Sequence, residues 1–150
     1  MTASVTASVT ALEALQACLA AEHAAIYGYG VLGGVLAAER PTAPQYELAA
    51  EGYLAHRARR DALTALIVDM KAAPVPAEPA YATPFRIADV SACRRLGRHI
   101  EHRTAAVYSF AVAKTANAAR RVVAHALADA ALREVRWGAE AQAFPGVADL

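Results

Sequence analysis

The sequence predicts an all-α fold, a bundle of four helices made of two antiparallel hairpins that a long proline-rich crossover joins. Of the 150 residues, 57% are hydrophobic and 19% are charged, which suffices for the core of one domain. Alanine is abundant and runs of β-branched residues are few, a composition that favours helices over strands. Apolar residues also recur at the helical period in four long stretches of the chain.

Helices one and two form the first predicted hairpin. Residues 10–13 have the form of a capping box, and the helical period then continues to Arg40. Residues 1–9 are predicted to be a flexible segment that precedes the bundle. Pro44 lies in the first turn of helix two, where its missing N–H costs little, and this helix runs to about Ala73. Because the connection between them is short, the two helices should lie antiparallel.

Residues 74–89 are predicted to form the crossover, since four prolines keep this segment from being helical. At ~3.1 Å per residue, a proline-rich segment of this length can return along most of the bundle. Helix three begins after a cap at Asp89 or Ser91, and helix four follows almost at once. The bundle is therefore expected to span residues 10–143, with residues 144–150 as a tail.

The composition argues against several classes of protein. The net charge of +1 gives no general attraction to nucleic acid or to membranes. Charged residues interrupt every apolar stretch, so no segment approaches the ~18 apolar residues of a membrane span, and we expect no secretory signal. Cys18 and Cys93 lie far apart and form no metal-binding motif. Two buried thiols indicate a reducing compartment, and we expect a cytoplasmic protein.

Each predicted helix carries one polar residue on its apolar face. In helix order these residues are Glu22, His56, Glu101 and Glu134. They lie at similar distances from the hairpin turns, so they should meet near the middle of the bundle. A carboxylate buried there without a partner is costly, so the fold must supply a cation, a metal ion or hydrogen bonds. Glutamates and histidines that converge at one level are also how bundles build carboxylate-rich metal centres.

Two stretches carry a resemblance to a known family. AEHAAIYGYGVLG in helix one and AHRARRDAL in helix two resemble an uncharacterised ferritin-like family of high-GC (actinobacterial) bacteria, and residues 10–143 as a whole resemble the ferritin-like superfamily. The resemblance implies a di-iron pattern, with Glu on helix one, Glu-x-x-His on helix two, Glu on helix three and Glu-x-x-His on helix four. The residues that match this pattern, in helix order, are Glu22, His56, Glu101 and Glu134.

Two positions depart from the di-iron pattern. Tyr53 stands where helix two should carry glutamate, and Trp137 stands where helix four should carry histidine. Arg60, one turn beyond His56, projects into the same layer and can neutralise buried carboxylates. We therefore predict that the centre is a degenerate site that acts as a structural network of Glu, Arg and His, in which Tyr53, Arg60, Tyr108 and Trp137 surround the four candidates.

This interpretation describes a ferritin-like bundle of unknown specific function and leaves open whether the protein is an enzyme. The alternative is an oxidoreductase that holds one iron or manganese ion at the four candidate ligands, with Tyr53 or Tyr108 as a nearby phenol. The predicted cofactor is accordingly either none or a single iron or manganese ion.

The expected partner is a second copy of the chain. Helix one contains Gly28, Gly30, Gly33 and Gly34. Each glycine lowers helix propensity by up to ~1 kcal/mol, a cost that is understandable if another helix approaches closely. Symmetric dimers are the commonest oligomers, so we expect a homodimer. The helix-three arginines at 94, 95, 98 and 103 spread around the helix, so nucleic acid is not the expected partner, and the sequence identifies no other protein partner.

Overall fold

Four helices account for most of the chain and form the predicted all-α bundle. A computed structural model describes residues 2–39 and 43–147, with side chains from residue 11 onward. The helices are α1 (Thr2–Glu39), α2 (Pro44–Asp69), α3 (Val90–Lys114) and α4 (Asn117–Arg136). Within the described ranges there is no strand, and no helix has the length and hydropathy that crossing a bilayer requires.

The helices α1 and α3 form the centre of the bundle. α1 packs against α2 and α3, and α3 packs against α4, whereas α2 and α4 touch only lightly. Near the start of α3, the thiol of Cys93 lies 3.6 Å from the carbonyl oxygen of Leu32. Near its end, the carbonyl oxygen of Val107 lies 3.9 Å from the thiol of Cys18. These contacts make α1 and α3 antiparallel, and the two helices provide the central walls of the bundle interior.

The crossover between α2 and α3, residues 70–89, runs along α1. Near its start, the Gln16 side chain bonds to the backbone on both sides of Pro74, at 2.7 and 2.8 Å. Farther along, the ring of Tyr81 packs on the ring of Tyr27, with 5.7 Å between the centroids. The proline-rich segment therefore returns the chain along the bundle, as the sequence predicted.

The start of α1 differs from the expected boundary. The helix begins at Thr2, well before residue 10, so residues 2–9 of the segment expected to be flexible are helical in backbone. This segment holds alanine, serine, threonine and valine but no glycine or proline, so its sequence contains no strong helix stop. Met1 lies outside the described residues.

The end of α4 also differs from the expected boundary. The helix ends at Arg136 because Gly138 adopts a φ of 99°. The backbone N–H groups of Gly138 and Ala139 then donate to carbonyl oxygens in the last turn of the helix. In the tail, Gly146 packs so closely on α3 that an added Cβ would lie 2.5 Å from the carbonyl oxygen of Ala105. Residues 148–150 of the predicted tail lie outside the described residues.

Two apolar clusters fill the two ends of the bundle. The first cluster includes Leu15, Leu19, Leu63 and Ile67, and the second includes Leu32, Leu36, Leu96 and Trp137. Glu22, His56 and Glu101 lie between the two clusters, and each has a relative exposure of 0%. The centre of the bundle is thus a polar layer that apolar side chains enclose on both sides, which makes its internal pairing energetically important.

Candidate functional site

The centre of the polar layer is a histidine held between two carboxylates. His56 on α2 places its Nδ1 atom 2.6 Å from Oε2 of Glu22 on α1. Its other ring nitrogen, Nε2, lies 3.2 Å from Oε1 of Glu101 on α3. One imidazole therefore ties together three helices. Three of the four candidate ligands that the sequence singled out meet in this cluster.

The pairing implies that His56 is an imidazolium. A carboxylate only accepts hydrogen bonds, so both ring nitrogens must donate, and only the protonated ring has two N–H donors. Burial alone lowers the pKa of His56, but the hydrogen bonds with Glu101 and Glu22, and the charges of these carboxylates, outweigh burial and raise the pKa above its ordinary value. The ring keeps its proton because it is enclosed by negative charge.

Two tyrosines donate hydrogen bonds to the two carboxylates, each to the glutamate on the other central helix. Tyr29 on α1 donates from its hydroxyl to Oε1 of Glu101 at 2.5 Å, and Tyr108 on α3 donates to Oε1 of Glu22. In both helices the tyrosine follows the glutamate by seven positions, so each Glu-x6-Tyr pair gives its hydroxyl to the other helix. Burial and the adjacent carboxylates raise the pKa of both phenols. Both phenols are therefore neutral donors.

Trp137, just after α4, extends this chain of hydrogen bonds to the fourth helix. Its indole Nε1 donates to the hydroxyl of Tyr29 at 2.8 Å. Glycines make room for both rings: a Cβ at Gly52 would lie 2.2 Å from the Tyr29 ring, and one at Gly97 would lie 2.4 Å from the Trp137 ring. An unbroken path of hydrogen bonds therefore connects six residues, in the order Tyr108, Glu22, His56, Glu101, Tyr29 and Trp137.

Arg133 on α4 balances the charge of the cluster. Its Nη1 atom lies 3.7 Å from Oε1 of Glu101, so the two carboxylates face two cations, His56 and Arg133. The pairing is incomplete, because the other oxygen of Glu101, Oε2, is buried without a hydrogen-bond partner. The Nε and Nη1 atoms of Arg133 are also buried without a hydrogen-bond partner.

The remaining expected site residues lie at the edge of the cluster. Glu134 is 9% exposed and does not contact His56: its Oε1 atom lies 3.1 Å from Nδ1 of His102. Tyr53 is half-buried and packs beside Arg57, whose guanidinium carbon is 5.6 Å from the ring centroid. Arg60 does not join the layer: it pairs with its neighbour Asp61 at 2.8 Å, because its position on α2 faces the rim.

The arginines nearest the centre were not anticipated from the sequence. Arg133 takes the role expected of Arg60, and Arg59 on α2 bonds to Asp129 on α4 at 2.5 Å. Arg133 follows the buried residue Ala130 by three positions, a spacing that places it on the inward face. Tyr29 was not anticipated as part of the network either, and the Glu-x6-Tyr spacing on both central helices is the signal that could have identified it.

The arginines of α3 face different neighbours. Arg95 stacks over the ring of Phe85 at 4.8 Å, and Arg98 points to the carbonyl oxygen of Gly138 at 3.4 Å. Arg103 lines a groove on the side of α3 that faces the crossover. Arg94, Arg95 and Arg98 together line a second pocket at the start of α3, which Arg103 does not line.

Comparison with known proteins assigns the chain to a family. The model of a family described as a domain of unknown function, DUF4439, matches residues 14–149. The chain belongs to DUF4439. A solved structure similar to it is that of a conserved hypothetical protein, Rv2844, from Mycobacterium tuberculosis, which is 28% identical with a TM-score of 0.78. The similarity covers 86% of this chain and 95% of that chain. A search of curated proteins finds no match.

The described side chains of this DUF4439 protein do not form a metal-binding set. Within the described residues, no group of three or more His, Cys, Asp and Glu side chains is arranged to hold a metal ion. The two ring nitrogens of His56 point in opposite directions toward different carboxylates, so Glu22 and Glu101 do not converge with one nitrogen on a common point. Glu134 pairs instead with His102 on α3. The donors present fit hydrogen bonding with one another better than coordination.

Proposed function

We propose that this protein is a ferritin-like bundle in which a structural network occupies the position of the metal centre, and that it acts as a non-enzymatic scaffold through its outer faces. The ferritin-like relationship is supported by the long crossover and by three of the four candidate ligands, Glu22, His56 and Glu101, which come from three helices and meet in the middle of the bundle. The resident cofactor under this proposal is none.

The observation that carries the proposal is that both ring nitrogens of His56 are paired with carboxylates. A histidine ligand binds a metal through a neutral ring nitrogen, whereas here both nitrogens serve as donors to Glu22 and Glu101. Coordination would require the ring to lose a proton that two buried carboxylates stabilise. It would also leave one carboxylate without its donor, which is costly in a buried layer.

One observation favours the alternative, a single iron or manganese ion used for oxidation chemistry. Oε2 of Glu101 is buried and has no hydrogen-bond partner, so it offers one free carboxylate oxygen. Nη1 of Arg133 lies 3.7 Å from the other oxygen of the same carboxylate. A divalent cation close to this guanidinium would be repelled, so we rank this alternative second.

The protonation of His56 separates the two functions. Because the raised pKa favours the imidazolium, both ring nitrogens should carry protons, and the ring should lose its proton at a higher pH than an ordinary histidine does. Nitrogen-detected NMR of the metal-free chain, labelled in histidine, measures this directly. One equivalent of Mn²⁺ should leave the ring signals of His56 sharp, and metal loading should leave the protein without bound iron or manganese.

The control for that experiment uses the same protein. The exposed His125 reports weak, non-specific Mn²⁺ contact, and His56→Gln assigns the signal of interest. A neutral His56 ring, together with its selective broadening by Mn²⁺ and about one bound ion that Glu101→Gln removes, would replace the scaffold proposal by the mononuclear metal site.

A homodimer through α1 is the proposed assembly. A Cβ built on Gly30, Gly33 or Gly34 would meet no atom within 4 Å, so these glycines face open space and allow a second helix to approach closely. We expect sedimentation velocity to show a dimer that Gly34→Arg converts to a monomer, whereas Glu13→Arg on the same helix leaves it intact. A wild-type chain that stays monomeric at high concentration would remove this assembly.

A further inference from the structure

A groove between α1, α3 and the crossover is separate from the polar layer. It has a cavity volume of about 210 Å³, and residues from all three segments line it. The crossover contributes Tyr81 and the three residues after it, and α3 contributes Ile100 and Arg103. The proline-rich segment therefore covers one side of a preformed concave surface, the shape that small-molecule sites usually have.

The floor of the groove is made of small residues. On α1 these are Ala21, Ala24, Ala25 and Gly28. At Gly28 an added Cβ would lie 2.6 Å from Cδ1 of Ile100, so a larger residue there would displace the end of the isoleucine side chain. The free space exists because the α1 side chains below it are short.

The walls of the groove are apolar and aromatic. The rings of Tyr27 and Tyr81 both line it and pack on each other, with 5.7 Å between their centroids, and Tyr27 remains 37% exposed. Ile100 and Leu96 close the α3 side. An alkyl chain placed here would lose contact with water along most of its length, which favours binding.

The edge of the groove carries the positive charge of Arg103, and His99 also lines it. No aspartate or glutamate in the described part of the chain lines the groove. Among the described residues, Arg103 has neither an ion pair nor a hydrogen bond. A guanidinium beside an apolar groove is complementary to a ligand that has an anionic head and an apolar tail, and its planar fork matches a carboxylate.

We propose that this groove binds a small amphipathic carboxylate, with its head on Arg103 and its alkyl tail over the small residues of α1. The ligand class is a medium-chain fatty acid or a molecule of similar shape. The site does not depend on the function proposed for the polar layer, since none of the six hydrogen-bonded residues of that layer lines the groove.

Titration with octanoate, followed by amide NMR, tests the site. Octanoate should shift the signals of Ala24, Gly28 and Ile100 in a saturable way. Arg103→Gln should weaken binding about tenfold, the usual effect of losing one charge-assisted hydrogen bond at a partly exposed position. Octanol should bind the wild-type chain about tenfold more weakly than octanoate, since it lacks the charge.

Two further variants make the test specific. Arg98→Gln removes an arginine from the same helix but outside the groove, and it should bind octanoate like the wild type. Ala24→Leu fills the floor and should abolish the binding of both octanoate and octanol. Octanoate shifts that lie elsewhere, equal affinities for octanoate and octanol, or undiminished binding by Arg103→Gln would each overturn the proposal.

Discussion

Glu22→Leu is expected to lower the free energy of unfolding by about 3–5 kcal/mol, the usual cost of leaving one partner of a buried charge pair alone. The variant removes the acceptor for both Nδ1 of His56 and the hydroxyl of Tyr108, two donors that water cannot reach. Urea denaturation of the wild type and the variant, followed by circular dichroism, measures the difference.

Glu13→Leu is the matched control for this experiment. It makes the same change on the same helix at an exposed position, so the free energy of unfolding should change by no more than about 0.5 kcal/mol. The double variant Glu22→Leu/His56→Leu should lose less than the sum of the two single variants, because the carboxylate and the imidazolium are removed together. Strict additivity would show that the two side chains are not coupled.

Gly52→Ala is expected to destabilise the protein although alanine is the better helix former. The added methyl group would lie 2.2 Å from the ring of Tyr29, and that ring is fixed by hydrogen bonds with Glu101 and Trp137. Overpacking of this kind costs about 1–3 kcal/mol. Displacing the tyrosine hydroxyl from the carboxylate adds about 1.5–3 kcal/mol, since that hydrogen bond is to a charged group.

Gly34→Ala on α1 makes the same chemical change where the methyl group meets nothing within 4 Å. Here the gain in helix propensity, up to about 1 kcal/mol, should raise the free energy of unfolding. Thermal melts at a concentration where the chain is monomeric should therefore shift in opposite directions for the two variants. A stabilised Gly52→Ala variant would mean that the Tyr29 ring is free to move, contrary to its place in the network.

Much of the architecture follows from local patterns in the sequence. The helical period and the proline cluster predicted four helices, their order and the crossover, because both signals depend on residues close together in the chain. The convergence of Glu22, His56 and Glu101 also followed, since each lies on an apolar face at mid-height. The helix boundaries were harder to predict. α4 ends just before Gly138, which has a positive φ and local hydrogen bonds, although the helical period of the sequence continues beyond it.

The composition of the network could be anticipated only in part. Neighbouring positions on a helix differ by about 100°, so a small error in helix orientation decides whether Arg133 or Glu134, or Arg59 or Arg60, points inward. The contacts settle the first choice: both side chains are 9% exposed, but Arg133 lies 3.7 Å from Glu101, whereas Glu134 pairs with His102. Which arginine neutralises the carboxylates is therefore a property of tertiary packing.

The exchanged Glu-x6-Tyr pairs make each hairpin incomplete by itself. Glu22, in the hairpin of α1 and α2, accepts a hydrogen bond from Tyr108 of the other hairpin. Glu101, in the hairpin of α3 and α4, accepts one from Tyr29 of the first hairpin. A single hairpin would lack these bonds: in the hairpin of α1 and α2, Tyr29 would lose its acceptor, and Glu22 would keep His56 but lose the hydroxyl of Tyr108. Half-folded states are thus penalised, and the two halves of the chain gain their stability together, in one cooperative step.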